Sequence, residues 1–398
     1  NIHAPDSQDD GADPGTVGQG GPVEEMTTIA DIVRAHGKEY LQQFGAAVPA
    51  RHRKALRDIA ACHTPEMGGH RYRCEDCGEE HFQYHSCRNR SCPSCQGAER
   101  RAWVDARLAD VLPCRYFHLV FTVPAALNRL IRSNQEILLD ALMRAVGDSL
   151  REMAGNPEHL GGRIGALEVL HTWGGNLEYH PHVHCLVPGG AWRRDGRIWT
   201  SSNSTFFLPV KALSRLFRGK FLTRVKAAFP GMFPEDLWDQ EWVVFSTPVI
   251  QGPEKVLGYL GRYIHRTAIS DRSIRSLRDG QVTFDYRDHR SKQRRMMTLP
   301  VLEFLRRFLQ HVLPRGFHQV RYLGLLHPSS RPALRRLQLT LWRKAGRLPP
   351  VPPTPEATKV SCPVCGRHQP ATLIMFERHR AESTSKFEKG DTTTKVSD

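Results

Sequence analysis

The sequence predicts an α+β protein, with helices packed on an antiparallel sheet and a small metal-binding module near the N-terminus. β-branched and aromatic runs such as YFHLVFTV at 116–123 indicate strands, and apolar residues at helical spacing indicate helices between them. These elements alternate without the regular rhythm of a parallel sheet, which favours the antiparallel arrangement. A block of closely spaced cysteines between residues 62 and 95 predicts the metal-binding module.

The individual elements follow from the same patterns in chain order. Pro124 closes the first buried strand, while Pro209 and Pro230 bracket one of the helices. The predicted strands are 116–123, 163–173, 182–188, 191–199 with a turn at Asp195-Gly196, 241–249 and 281–287. The predicted helices are 28–60, 97–111, 128–153, 209–228, 253 to about 267, and 299–313.

Composition narrows the classes of protein that this chain can be. The 398 residues include 56 Lys+Arg and 41 Asp+Glu, a net charge of +15, and 40% hydrophobic residues. That hydrophobic content excludes a wholly disordered chain, and the lack of a run of roughly 18 apolar residues excludes a membrane-spanning one. The Arg-rich excess predicts a polyanionic partner, because Arg suits bidentate phosphate contacts. The first 27 residues contain no Lys or Arg and no apolar run, so we expect no export signal and a cytoplasmic location.

We expect five segments along the chain. They are a disordered acidic tail (1–27), an N-terminal helical segment (28–60), a zinc-binding module with its exit helix (61–110), a large α+β domain (111–345), and a C-terminal region (346–398). The C-terminal region holds a Pro-rich linker, one Cys-X-X-Cys knuckle and a polar tail expected to be disordered.

Two Cys-X-X-Cys pairs carry the strongest metal signal. Cys74-X-X-Cys77 and Cys92-X-X-Cys95 are separated by 14 residues, and paired thiolates on tight turns suit tetrahedral Zn²⁺. A disulfide framework is the alternative, but thiols in a cytosolic chain stay reduced. We therefore predict one structural Zn²⁺ on these four thiols.

The other cysteines of the block support a further ion. Cys62, Cys87 and His70, with one more ligand, predict a second zinc site, so the module holds one or two Zn²⁺. The alternative is that Cys62 and Cys87 are simply packed in the interior.

A separate knuckle, Cys362-X-X-Cys365, lies near the C-terminus. One knuckle supplies only two of the four ligands that zinc requires. His368 or His379 could complete it, or it could join another part of the fold. We predict that Cys362 and Cys365 bind metal.

A His-hydrophobic-His triplet and a pair of tyrosines suggest catalysis. His182 and His184 lie two residues apart in a predicted strand and so share one face. Tyr259 and Tyr263 lie four residues apart in a predicted helix and share one face. A divalent ion held by the histidines would polarise a phosphodiester for attack by a phenolic oxygen.

Several long stretches in this order resemble a known family. They are GGHRYRCEDCG, SCRNRSCPSCQ, YFHLVFTVP, HTWGGNLEYHPHVHCLVPGG, YLGRYIHRTAIS and EFLRRFLQHVLPRGFHQVRYLG, and they run through most of residues 61–330. The sequence resembles the two-tyrosine HUH transposases, the rolling-circle insertion sequences of the IS91 type. The resemblance implies that 111–345 is an HUH nuclease domain with a tyrosine helix. It also implies transposition by nicking and transfer of single strands through a 5′-phosphotyrosine.

The resemblance also implies roles for individual residues. His182 and His184 become ligands of a catalytic Mg²⁺ or Mn²⁺, and Tyr259 and Tyr263 become the nucleophiles. Which tyrosine attacks first cannot be derived from their spacing.

A third ligand of the catalytic ion is expected. His171 is favoured because a hairpin could bring it beside the His182–His184 strand, and Glu168 and His180 are competitors. The chain departs from the family at Ser91, where the zinc module often has His before its Cys-Pro-X-Cys knuckle.

The expected partners are single-stranded or hairpin DNA at the transposon ends and a target DNA, in a nucleoid-associated protein of a bacterium. No Walker A loop is present, so we expect a host helicase to assist. The arginines predicted to contact DNA are Arg88, Arg90, Arg100, Arg101, Arg262 and Arg266. The alternatives are a plasmid relaxase or rolling-circle replication initiator with the same chemistry, and a non-catalytic zinc-dependent DNA-binding regulator.

Overall fold

The computed structural model describes residues 27–74, 76–108, 110–193, 199–203, 205–249, 266–288, 291, 293–349, 362, 364–366 and 372–377. Side chains are described in these ranges except at 96–102, 108 and 372–377. The chain divides into two compact units, residues 1–60 with 88–355 and residues 61–87 with 356–398. Within the described residues, no helix is long and apolar enough to cross a membrane.

The described elements are numbered here in chain order. The α-helices are α1 (Ile29–Phe44), α2 (Ala50–Ala61), α3 (Pro93–Leu108), α4 (Asn128–Ser133), α5 (Gln135–Gly155), α6 (Val210–Ala228), α7 (Val301–Leu309) and α8 (Arg331–Lys344). The strands are β1 (Gly69–Arg73), β2 (Glu80–Tyr84), β3 (Tyr116–Thr122), β4 (Gly165–Trp173), β5 (Tyr179–Pro188), β6 (Gly190–Trp192), β7 (Trp199–Ser201), β8 (Val244–Val249), β9 (Ile274–Arg278), β10 (Gln281–Arg287), β11 (Arg294–Pro300), β12 (Val320–Gly324) and β13 (Thr372–Glu377).

The larger unit is built on a five-stranded sheet in the order β12-β4-β5-β3-β8. Every neighbouring pair in it is antiparallel. Helices α5 and α6 pack on each other and contribute to the main core on one face of this sheet. This arrangement confirms the predicted α+β class with an antiparallel sheet.

The two faces of the sheet differ because side chains alternate along each strand. Phe117, Phe121 and Val183 are fully buried in the main core. Their neighbours in sequence, including His182 and His184, therefore project from the opposite face. The same alternation that makes the core thus gathers the histidines of β4 and β5 on one side.

The N-terminal helical segment is two helices where the sequence predicted one over 28–60. Thr28 begins α1 with a capping box, in which the Asp31 N–H donates to Thr28 Oγ1 and the Thr28 N–H donates to Asp31 Oδ2. The helix ends at Gly45, whose φ of 45° suits glycine, and Pro49 directly precedes α2. The break is therefore encoded locally by Gly45 and Pro49.

Several other boundaries differ from those predicted. The helix predicted at 128–153 is divided at Asn134 into α4 and α5, and the strand predicted at 191–199 is replaced by the paired strands β6 and β7. The sequence missed β9, β11, β12 and α8, whose apolar patterns are weak because much of their surface is exposed or half-buried. The helix predicted from 253 lies almost entirely outside the described residues.

The smaller unit is a three-stranded antiparallel sheet in the order β13-β1-β2. It combines 61–87 with the C-terminal region, so the domain division differs from the predicted one. The exit helix, predicted at 97–111, is α3 and belongs to the larger unit. The expectation of a disordered tail is wrong for 372–377, which pair with β1 as β13.

Candidate metal centre

Three histidines converge on the face of the large sheet opposite the main core. His171 in β4 pairs directly with His182 in β5, and His184 follows two residues later on the same face. One ring nitrogen from each of the three lies within 4.8 Å of the others. His171 is buried, while His182 and His184 are half-buried. The spacing suits three imidazole ligands around one divalent ion, with open positions for water or substrate.

Hydrogen bonds determine which nitrogen two of these rings present. His182 Nδ1 lies 2.7 Å from the carbonyl oxygen of His180 and donates to it, which leaves Nε2 as a ligand atom. His184 Nδ1 lies 2.8 Å from Nε2 of His118, a residue of β3 whose ring stacks on His184. A donor at His184 Nδ1 likewise leaves its Nε2 for metal.

The surroundings favour the neutral form of His184 and of its partner His118, and a metal-binding imidazole must be neutral. Burial, followed by the charges of His171, His182, His118 and Arg266, holds the pKa of His184 well below its usual range. Burial alone lowers the pKa of His118 to about 4.

The sequence left three candidates for the third ligand, and the structure separates them. His171 is in the converging group, and His180 is outside it, although its ring lies 5.3 Å from that of His182. Glu168 pairs with Cys185 and projects from the opposite face of the sheet. Its Oε1 there lies beside Gly147, so close that a Cβ added to that glycine would be 3.1 Å away. Burial there raises the pKa of Glu168 to about 8. Glu168 therefore cannot join the histidines.

The predicted nucleophiles Tyr259 and Tyr263, and also Arg262, lie outside the described residues. The described chain resumes at Arg266, which is exposed and whose charge contributes to the low pKa of His184. Arg266 and Trp173 line a cavity in the larger unit. Trp173 stacks on His171 with ring centroids 4.4 Å apart. A cation and a half-buried aromatic ring therefore lie near the histidines.

The other arginines predicted to contact DNA divide into two kinds. Arg88 is exposed, whereas the guanidinium of Arg90 donates to the carbonyl oxygens of Leu313, Pro314 and Phe317 at 2.6 to 2.9 Å. These bonds engage the Arg90 guanidinium in holding the turn after α7, and its contact with DNA stays a prediction. The side chains of residues 100 and 101 on α3 are outside the described part.

The cysteine pairing also differs from the prediction. In the smaller unit, Cys74 and Cys77 converge with Cys362 and Cys365, and not with Cys92 and Cys95, which belong to the larger unit. Sequence spacing could not show this, because the facing cysteines are far apart in the chain. Cys74 and Cys365 are separated by 291 positions, and Cys77 and Cys362 by 285.

The second zinc site predicted from Cys62, Cys87 and His70 is not reproduced with its histidine. The Cys87 N–H donates to Cys62 Sγ at 3.5 Å, which keeps these two residues together. His70 is outside every described group whose ligand atoms converge, and its ring packs edge-on against His85 at 4.7 Å. The expectation that His70 joins Cys62 and Cys87 is therefore not met.

His118 is the functional candidate that sequence reasoning missed. Its only signal is a polar residue inside the apolar run YFHLVFTV, which predicts a strand and no particular role. The pairing of β3 with β5 places His118 opposite Leu186 and diagonally beside His184, so its role depends on register.

Comparisons with known proteins agree with one another. A family model described as "Putative transposase" matches residues 165–333, and one described as "Transposase zinc-binding domain" matches residues 32–123. "Putative transposase y4qJ" of Sinorhizobium fredii is 40% identical over 384 residues, which are 88% of this chain and 95% of that protein. "Transposase for insertion sequence element IS801" of Pseudomonas savastanoi pv. phaseolicola is 31% identical over 294 residues, 69% of this chain and 70% of that protein. No solved structure matches.

Proposed function

This chain belongs to the IS91 family of transposases, and from that premise we propose that it nicks and rejoins single-stranded transposon DNA through a 5′-phosphotyrosine. A transposase acts on DNA, and the net charge of +15 suits that partner. The observation that carries the proposal is the convergence of His171, His182 and His184 on one face of the sheet.

The three imidazoles would hold Mg²⁺ or Mn²⁺, which when bound polarises the scissile phosphate as a Lewis acid. His118 and the His180 carbonyl orient two of the ligand rings. The protein thereby presents fixed nitrogen ligands without a rearrangement at the moment of reaction.

The proposed nucleophiles, Tyr259 and Tyr263, come shortly before Arg266 in the sequence. Arg266 is near enough for its charge to act on His184. A tyrosine hydroxyl attacks the phosphorus, the bond to the 3′ oxygen breaks, and a free 3′-hydroxyl leaves. A second tyrosine lets one centre hold two strands in turn.

Structural zinc belongs to the same proposal. The zinc-binding match over 32–123 includes Cys62, Cys87, Cys92 and Cys95 as well as Cys74 and Cys77. We therefore assign structural Zn²⁺ to cysteines of this region.

The test is covalent capture of single-stranded oligonucleotides that span the element's ends. With Mg²⁺ or Mn²⁺, a 3′-labelled strand should migrate with the protein on a denaturing gel, and a 5′-labelled strand should be shortened. The variant Tyr259→Phe/Tyr263→Phe should form no adduct, while the matched control Tyr286→Phe should behave as wild type. An adduct that persists in the double variant would contradict the proposal.

The same reaction distinguishes a transposase from a relaxase or replication initiator. Addition of a target strand should give products in which both transposon ends are joined to it. Nicking and resealing of the original strand alone would show shared chemistry with a different biological role.

A further inference from the structure

We propose that Cys74, Cys77, Cys362 and Cys365 form a zinc site assembled from two distant parts of the chain, which clasps the C-terminal strand β13 to the hairpin of β1 and β2. The family's zinc-binding match ends at residue 123 and so contains only half of these ligands. This site is separate from the strand-transfer chemistry and does not depend on it.

The two knuckles have matching backbones. The Gly78 N–H donates to the Cys74 carbonyl oxygen at 2.9 Å, and the Gly366 N–H donates to the Cys362 carbonyl oxygen at the same distance. Both glycines have a left-handed φ, 73° at Gly78 and 69° at Gly366. In each knuckle the glycine directly follows the second cysteine. Two equal turns, each presenting a pair of thiols, are the usual halves of a four-cysteine zinc site.

The distances between the knuckles fit the same ion. The Sγ atoms lie 3.7 Å apart for Cys74 and Cys365 and 3.7 Å apart for Cys77 and Cys362, and all four Sγ atoms lie within 4.8 Å of one another. A tetrahedral zinc with bonds of about 2.3 Å requires sulfurs about 3.8 Å apart. Disulfides, with sulfurs about 2.0 Å apart, do not fit.

The sheet explains how the two halves meet. In the antiparallel pair of β1 and β13, Arg73 lies opposite Thr372, and Cys74 follows Arg73 directly. The C-terminal knuckle precedes β13 in the chain, so both knuckles lie toward the same end of the paired strands. The pairing therefore brings the C-terminal thiols to the turn that holds Cys74 and Cys77.

The described side chains of this small sheet form almost no buried core. In β1 only Gly69 is buried, and β2 contains no buried residue. Isolated sheets of this size are marginal in water, and small modules without a large core commonly depend on a metal. Zinc bound by both knuckles would close the loop between them and hold β13 in place. The C-terminal region is then an integral part of the zinc module.

The test counts zinc in the full chain and in three variants by plasma mass spectrometry. Cys362→Ser/Cys365→Ser and Cys74→Ser/Cys77→Ser should each bind one zinc fewer than wild type. The quadruple variant should also lose only one, because both pairs hold the same ion. Cys114→Ser, a thiol outside the converging groups, should keep the wild-type content. Unchanged zinc in the C-terminal pair variant, or a loss of two in the quadruple variant, would overturn the proposal.

A second measurement addresses the strand itself and does not require the variant's smaller unit to stay folded. In hydrogen exchange, Cys362→Ser/Cys365→Ser should lose protection in 372–377 and in 69–73. The amides of β3, β4 and β5 should keep theirs and so report that the larger unit is folded. Protection of 372–377 that survives the substitution would show that zinc does not hold the strand. If that variant kept its zinc and the wild-type chain showed a disulfide among these four cysteines in the mass spectrum, the cysteines would pair by oxidation and would not bind zinc.

Discussion

At the residue scale, the histidine cluster depends on which nitrogen of each ring is already bonded inside the protein. His182 and His184 both use Nδ1 internally, so both direct Nε2 outward. The partner of His184 is itself a buried histidine that is neutral at physiological pH, because burial lowers the pKa of His118 to about 4. A neutral partner can accept a hydrogen bond from the His184 Nδ1–H and hold one ring orientation without adding charge near the ion.

We therefore expect His118→Leu to weaken binding of the catalytic ion by about 10- to 100-fold, as loss of such outer partners usually does. When strand cleavage is titrated with Mn²⁺, the His118→Leu variant should need a higher Mn²⁺ concentration than wild type for half-maximal cleavage. Its cleavage should recover at high Mn²⁺. The variant His118→Asn, which can still accept a hydrogen bond, should be closer to wild type. Equal Mn²⁺ dependence of wild type and His118→Leu would exclude this positioning role.

Glu168 provides a pH-dependent prediction for stability. Burial raises the pKa of this carboxyl from 4.5 to about 8, so the folded state retains a proton that the unfolded state loses. The free energy of unfolding should therefore fall as pH rises from about 4.5 to about 8, by at most about 1.4 kcal/mol per pH unit from this group. Glu168→Gln should remove that contribution. The free energy of unfolding in urea should be measured for both proteins from pH 5 to pH 8. Wild type should lose stability relative to Glu168→Gln as the pH rises, and a difference that stays constant would contradict the assignment.

At the element scale, single residues hold secondary structures in register. The alternation of β3, β4 and β5 separates a core face from a histidine face, and a shift of one residue would bury the histidines among the helices. Arg90 acts similarly on a turn, since three carbonyl oxygens after α7 share its guanidinium. That turn leads into β12, the edge strand beside β4.

Removal of that side chain should therefore destabilise the fold. Arg90→Ala leaves three carbonyl oxygens without their donor, and we expect the free energy of unfolding to fall by about 2–4 kcal/mol. Arg88→Ala is the matched control, because Arg88 is exposed two residues away, and it should change stability by less than about 0.5 kcal/mol. Chemical denaturation of both variants is the measurement. Equal stabilities would show that the hydrogen bonds of Arg90 contribute nothing.

At the scale of the whole molecule, distant parts of the sequence build single units. The smaller unit joins 61–87 to the C-terminal region. In the larger unit, β12 is an edge strand of the five-stranded sheet, although the first strand of that sheet along the chain is β3. Neighbours in sequence can also belong to different units, since α3 begins within the cysteine block yet is part of the larger unit. The units of structure are therefore not the five consecutive segments that composition suggested.

The sequence by itself determined the fold class, the presence of zinc knuckles and the shared face of His182 and His184, because periodicity and short spacings act within a few residues of chain. Only the tertiary structure decided which side Glu168 takes, that His118 supports His184, and that Cys74 and Cys77 meet Cys362 and Cys365. These are contacts between strands or chain regions far apart in sequence. Strand register and chain return determine them, and neither leaves a local pattern to be read.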